Sequence, residues 1–100
     1  MKTILHPQEV TRILESYKDS LSQSYGVTKL GFFGSVARNE ANEKSDLDIV
    51  VEMKKPDLFY LVHIKEELQA ALHCPIDIIH YRKKMNPFLK KRIKADVIYV

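Results

Sequence analysis

The feature that most constrains this chain is a pair of aspartates set into an apolar run, Ser45-Asp46-Leu47-Asp48-Ile49-Val50-Val51. The β-branched residues that follow predict a strand over residues 46–53. Side chains alternate across a strand, so Asp46 and Asp48 share one face and one small volume. Neighbouring carboxylates repel and raise one another's pKa, which destabilises the pair unless cations neutralise it. Hard oxygen donors arranged in this way suit Mg²⁺ or Mn²⁺. Taken alone, the pair fits a solvated strand end equally well. A third acid, Asp77, interrupts Pro75-Ile76-Asp77-Ile78-Ile79. An unpaired carboxylate embedded there is costly to bury, so Asp77 calls for a partner: a metal held by Asp46 and Asp48, or an arginine or lysine in a buried ion pair.

The remaining pattern supplies a scaffold for these acids. Val10, Ile13, Leu14, Tyr17 and Leu21 recur at helical spacing between Pro7, a suitable first helical residue, and Gly26, a suitable stop. Val27 to Phe33 reads as a strand running into the turn Gly34-Ser35, and Ser35 to Arg38 as the opening of a short helix with Ser35 near its N-cap. Glycine permits close backbone approach, and a helix N-terminus attracts phosphate oxygens; a Gly-Ser pair after a strand is also a common plain turn. A polar loop covers residues 39–44. Pro56-Asp57 opens a helix with Leu61, Ile64, Leu68, Ala71 and Leu72 inward and Glu66 and Glu67 outward. Residues 76–80 form a third strand. Asn86-Pro87 caps a last helix with Phe88, Leu89 and Ile93 inward, and residues 97–100 form a short extended end. The order αβ(α)βαβα describes an α/β (α+β) chain, a small mixed sheet with helices packed against it.

With 100 residues and no linker or repeat, one domain over residues 1–100 is expected. The single cysteine, Cys74, offers neither a disulfide framework nor a zinc cluster, which fits a reducing compartment. No apolar run approaches the roughly 18 residues of a membrane span, and the N-terminus lacks a signal-peptide core. The expectation is a soluble cytoplasmic protein with no membrane contact. Net charge is only +3, yet seven cations from Arg82 to Lys94 fall in a stretch free of acids. They suit a solvated helix face, or contact with nucleic acid, a triphosphate or an acidic protein. His6, His63, His73 and His80 have no mutual spacing that makes a metal site.

Together, Phe33-Gly34-Ser35-Val36-Ala37-Arg38, Ser45-Asp46-Leu47-Asp48-Ile49-Val50-Val51 and Ile76-Asp77-Ile78-Ile79 resemble the nucleotidyltransferase superfamily related to DNA polymerase β, and within it the minimal nucleotidyltransferases (MNT proteins). The motifs cover about half the chain. One departure is Asn39, where family members commonly have glycine; asparagine tolerates a left-handed backbone better than most residues.

The resemblance implies a polymerase β-like core in which Asp46 and Asp48 bridge two Mg²⁺ (or Mn²⁺) ions. Asp77 completes the site of the metal that activates the acceptor and is the general base. Gly34 and Ser35 hold the β- and γ-phosphates of a nucleoside triphosphate. Arg38 either steadies a phosphate or is a plain surface arginine. MNT proteins are encoded beside HEPN-domain proteins, which implies AMP transfer from ATP to a tyrosine of a HEPN toxin, with this chain as antitoxin. Two alternatives stay open: a stoichiometric binding antitoxin without turnover, and nucleotidyl transfer to RNA or a small molecule, for which the basic stretch is the one supporting feature.

Overall fold

A computed structural model describes residues 5–42 and 44–100 of the chain. Its elements are α1 (Pro7–Tyr25), β1 (Val27–Phe33), β2 (Leu47–Met53), α2 (Leu58–Leu72), β3 (Ile76–His80), α3 (Pro87–Asp96) and β4 (Ile98–Tyr99). Helix boundaries follow local chemistry. Pro7 starts α1, and Gly26 ends it in the left-handed region at φ 71°, donating its amide to the Leu21 and Ser22 carbonyls. The Asp57 carboxylate caps α2 by accepting from the Phe59 and Tyr60 amides, and the Asn86 side-chain oxygen does the same for Phe88 and Leu89 on α3.

The four strands form one mixed sheet in the order β3-β2-β1-β4. β1 runs antiparallel to β2 and β4, whereas β2 and β3, joined through α2, are parallel. On one face, Leu30, Phe32, Leu47, Ile49 and Val51 pack against Val10, Leu14 and Leu21 of α1 and Ile64, Leu68 and Leu72 of α2. Among the described residues, α3 is the helix that packs on the opposite face. There a smaller core joins Phe33 and Val50 to Ile93, the one buried residue of α3. The first face is thus filled with side chains, while the second is divided between this small core and open sheet. Among the described residues, no helix is long and apolar enough to cross a membrane.

Three expectations need correction. Asp46 lies just before β2 rather than in it. Phe88, expected inward, is 79% exposed, because the Asn86 cap fixes the first turn of α3 and only Leu89 and Ile93 then reach the second core. Residues 35–39 form a turn rather than a short helix. Positive φ at both Gly34 (81°) and Asn39 (59°) leaves room for one turn only, closed by the Arg38 amide on the Gly34 carbonyl (3.1 Å) and the Glu40 amide on the Ser35 carbonyl (2.8 Å).

Candidate active site

The second face of the sheet gathers the predicted acids because of strand register. Phe33 of β1 pairs with Asp48 of β2, and Asp48 in turn pairs with Asp77 of β3. Residues in register on adjacent strands lie about 4.8 Å apart and project to the same side, so Asp48 and Asp77 stand together on the face that α3 leaves open. Just beyond the end of β1 is Gly34. A Cβ built there would overlap Oδ2 of Asp48 and come within 3.3 Å of its Cγ. The Asp48 carboxylate therefore lies directly against the Gly34 backbone, and the turn and the acid pair, distant in sequence, form a single site.

The electrostatics follow from this placement. Asp48 is half-buried, and its carboxyl is raised above the ordinary range, first by burial and then by Asp77 and Asp46; Arg92 and Arg38 act in the opposite direction. Asp77 is exposed rather than embedded, because β3 is an edge strand and α3 does not reach over its start. The ion pair with arginine or lysine considered for Asp77 is not found among the described residues. Asp46 is exposed and lines a small cavity of about 60 Å³ with Ser45, Cys74 and Pro75, near enough to perturb both Asp48 and the Cys74 thiol.

Among the described residues, no three His, Cys, Asp or Glu side chains converge into a ready-made cation cage. The structure does bring Asp48 and Asp77 together, with Asp46 flanking them. This donor set still fits divalent cations: a half-buried carboxylate is crowded by two like charges and lacks an ion-pair partner among the described residues. The glycine cradle leaves the carboxylate beside the Gly34-Ser35 turn.

The turn contributes donors of its own. Buried Val36 plugs it into the first core, and no described residue accepts a hydrogen bond from the amides of Ser35, Val36 or Ala37. Successive amides in such a turn form a concavity suited to phosphate oxygens; this replaces the helix N-terminus expected from sequence. Arg38 is already engaged. Its guanidinium donates to Asp96 at the end of α3 (2.7 Å) and to Glu40 (3.1 Å), so it ties the turn to a helix 58 residues away in sequence. Sequence reasoning missed Asp96 and counted Arg92 only within the basic stretch from Arg82 to Lys94. They stand one helical turn apart on α3, a spacing that places them on one face, but nothing in the linear sequence relates that face to the Gly34 turn.

A mixed sheet carrying a Gly-Ser turn beside strand-borne aspartates is the polymerase β-like nucleotidyltransferase fold, and its class is that of nucleotidyl-transferring enzymes. The nucleotidyltransferase domain family matches residues 14–100, and the chain belongs to that family, among its minimal members.

The chain is 40% identical over 101 residues to MJ0128 of Methanocaldococcus jannaschii, provisionally named a protein adenylyltransferase, with both chains covered completely. It is 33% identical over 94 residues to the protein adenylyltransferase MntA of Thermococcus cleftensis, covering 93% of this chain and 94% of that one. A solved structure provisionally described as a minimal nucleotidyltransferase superposes with a TM-score of 0.75 at 28% identity, over 94% of this chain and 95% of the other. The fold also matches a chain from the complex of a tri-AMPylated HEPN toxin with its MNT antitoxin, from Shewanella oneidensis. There the TM-score is 0.64 at 16% identity, over 92% and 68% of the two chains.

Proposed function

We propose that this chain is a cytoplasmic protein adenylyltransferase acting as one domain, which transfers AMP from ATP to a tyrosine hydroxyl of a HEPN-domain partner and so serves as its antitoxin. The observation that carries this reading is the contact of Asp48 with Gly34, with Asp77 in register beside it. That proximity of the acids to the turn supports a site where carboxylates and a triphosphate meet. The relatives named as protein adenylyltransferases and the HEPN complex of a fold neighbour support the choice of acceptor.

Asp46 and Asp48 would hold two Mg²⁺ or Mn²⁺ ions, and Asp77 would share the one nearer the acceptor. Bound there, such ions lower the pKa of the acceptor hydroxyl and neutralise charge on departing pyrophosphate. The chain's own groups supply the rest. Turn amides and the Ser35 hydroxyl orient the β- and γ-phosphates. The exposed Asp77 carboxylate, on the side from which an acceptor arrives, takes the hydroxyl proton as the acceptor oxygen bonds to the α-phosphorus. The bond from that phosphorus to the bridging oxygen breaks, and pyrophosphate leaves with the electron pair.

The test is incubation with Mg²⁺, α-labelled ATP and the HEPN-domain protein encoded beside this chain, comparing wild type with Asp46→Ala/Asp48→Ala by label and mass. AMP increments on the partner with wild type alone are expected. A stable complex in which neither protein is labelled overturns the reading in favour of binding without turnover, and label on co-purifying RNA moves the acceptor there. Millimolar Mg²⁺ or Mn²⁺ should also raise the melting temperature of wild type, because cations that bind the folded state stabilise it. Asp48→Asn should lose most of that rise while remaining folded.

A further inference from the structure

We propose that the groove between the first turns of α2 and α3 is where the acceptor polypeptide docks, through apolar side chains seated in the groove and acidic residues on its basic rim. This inference rests on the protein-acceptor reading above and names the surface that would serve it.

Five large apolar or aromatic residues are exposed around the two helix starts: Leu58 (80% exposed), Phe59 (77%), Tyr60 (38%), Val62 (53%) and Phe88 (79%). Leu58 and Val62 are one helical turn apart with Phe59 beside them, so they form a single patch on α2, turned away from the Ile64, Leu68 and Leu72 stripe that fills the core. Phe88 is in the first turn of α3, between Asn86 and Leu89, which both line the depression. Between the helices is a depression of about 600 Å³ lined by Leu58, Leu61, Ile79, His80, Arg82 and Leu89. Exposed apolar side chains gathered at the two helix starts beside a depression, with polar residues around them, mark an interaction site.

Position identifies the occupant. Ile79 projects from the same face of β3 as Asp77, two residues further along, hence about 7 Å away. The groove wraps the edge of β3, with Leu61 and Ile78 from the first face and Ile79 and Leu89 from the second, and Ile79 is its link toward the acids at the start of that strand. A polypeptide spans that distance with two or three residues, at about 3.3 Å each, anchoring in the groove while its tyrosine reaches the acids. Binding energy from such remote contacts is a general means of positioning a reacting group.

Charge narrows the choice further. Arg82 lines the groove, exposed Lys83 and Lys84 follow it, and the chain from Arg82 to Ala95 contains no acid; the acid in the lining, Asp57, is held by the Phe59 and Tyr60 amides as the cap of α2. A second copy of this chain would bring the same cations against its own rim, whereas an acidic segment would be steered toward it.

The test compares wild type with two variants that spare the acids and the turn: Leu58→Ser/Phe59→Ser/Phe88→Ser, and Arg82→Glu/Lys84→Glu. Three quantities are read: Kd for the co-encoded HEPN-domain protein, KM and kcat for its AMP modification, and Kd for a non-hydrolysable ATP analogue with Mg²⁺. The serine variant should bind the partner at least about tenfold more weakly and raise its KM similarly, with unchanged nucleotide affinity and melting temperature. The glutamate variant should weaken binding and flatten its salt dependence.

Unchanged partner Kd and KM in the serine variant overturn the proposal. So does self-association of wild type that the serine variant abolishes, since a second copy then fills the groove. The two readings fail separately. A wild-type complex without AMP transfer, lost in the serine variant, keeps the groove and sinks the transferase reading; equal AMP transfer by both proteins does the reverse. If wild type neither binds nor modifies the partner, both fall.

Discussion

Gly26 and Gly34 both hold positive φ, 71° and 81°, but an added methyl group meets different surroundings at each. At Gly26 the nearest atom is the Lys54 Cβ, at 4.0 Å; at Gly34 it is the Asp48 carboxylate. Gly26→Ala should therefore cost only the left-handed strain of about 1–2 kcal/mol and leave Mg²⁺-ATP binding intact. Gly34→Ala should add to that strain by displacing Asp48, lowering stability further and weakening nucleotide binding by about tenfold or more. Thermal melts with nucleotide titrations separate the two, and equal effects would show that the contact with Asp48 is immaterial. At this scale the meeting of Gly34, Asp48 and Asp77 was legible in the sequence, because acids in apolar strands and a glycine at a strand end are local anomalies; Asp46, expected within β2, precedes it. The exposure of Asp77 was not legible. Alternation gives the face of a side chain, but strand order makes β3 an edge and the placement of α3 leaves its start uncovered.

Most elements carried their own boundaries: Pro7 and Gly26 for α1, Asp57 for α2, Asn86-Pro87 for α3. The failure at residues 35–38 has a cause of the same kind. Asn39 occupies the left-handed region (φ 59°) that the sequence reading allowed for it, and this ends the turn before a helix forms. As a result Arg38 projects toward α3 and donates to Asp96, a contact that depends on how α3 crosses the sheet. If Arg38 acts by bracing the turn to α3, Asp96→Asn should weaken Mg²⁺-ATP binding as Arg38→Ala does, and the double variant should be no worse than either single one. If Arg38 instead contacts a phosphate, Asp96→Asn should leave nucleotide affinity intact or improve it by freeing the guanidinium. Nucleotide Kd for the four proteins of this cycle decides between brace and ligand.

The whole molecule is a sheet whose two faces have been put to different uses. α1 and α2 fill one with the main core; on the other, Ile93 and its neighbours hold α3 over β1 and β2 and leave the acids open at the start of β3, while the groove wraps the edge of that strand at its far end. Hydrophobic spacing foretold the three helices, but it holds no information on which face each would cover or how far α3 would reach, and that reach decides where the open surface lies. One titrating group reports on this surface through the stability of the entire fold. His80, at the groove end of β3, has its pKa lowered below the ordinary 6.5, first by burial and then by Arg82, with Glu52 opposing. Above that value the imidazole is neutral in both folded and unfolded chains and contributes no pH dependence. As pH falls below it, the unfolded chain takes up the proton first, so stability is lost progressively down through the lowered folded-state pKa. Melting temperature should therefore decline for wild type between about pH 7 and pH 5, and His80→Gln should flatten that part of the profile while leaving the value near neutrality little changed. Parallel profiles for the two proteins would show that the groove end of β3 is open enough to hydrate the imidazolium, and that another group sets the acid limb.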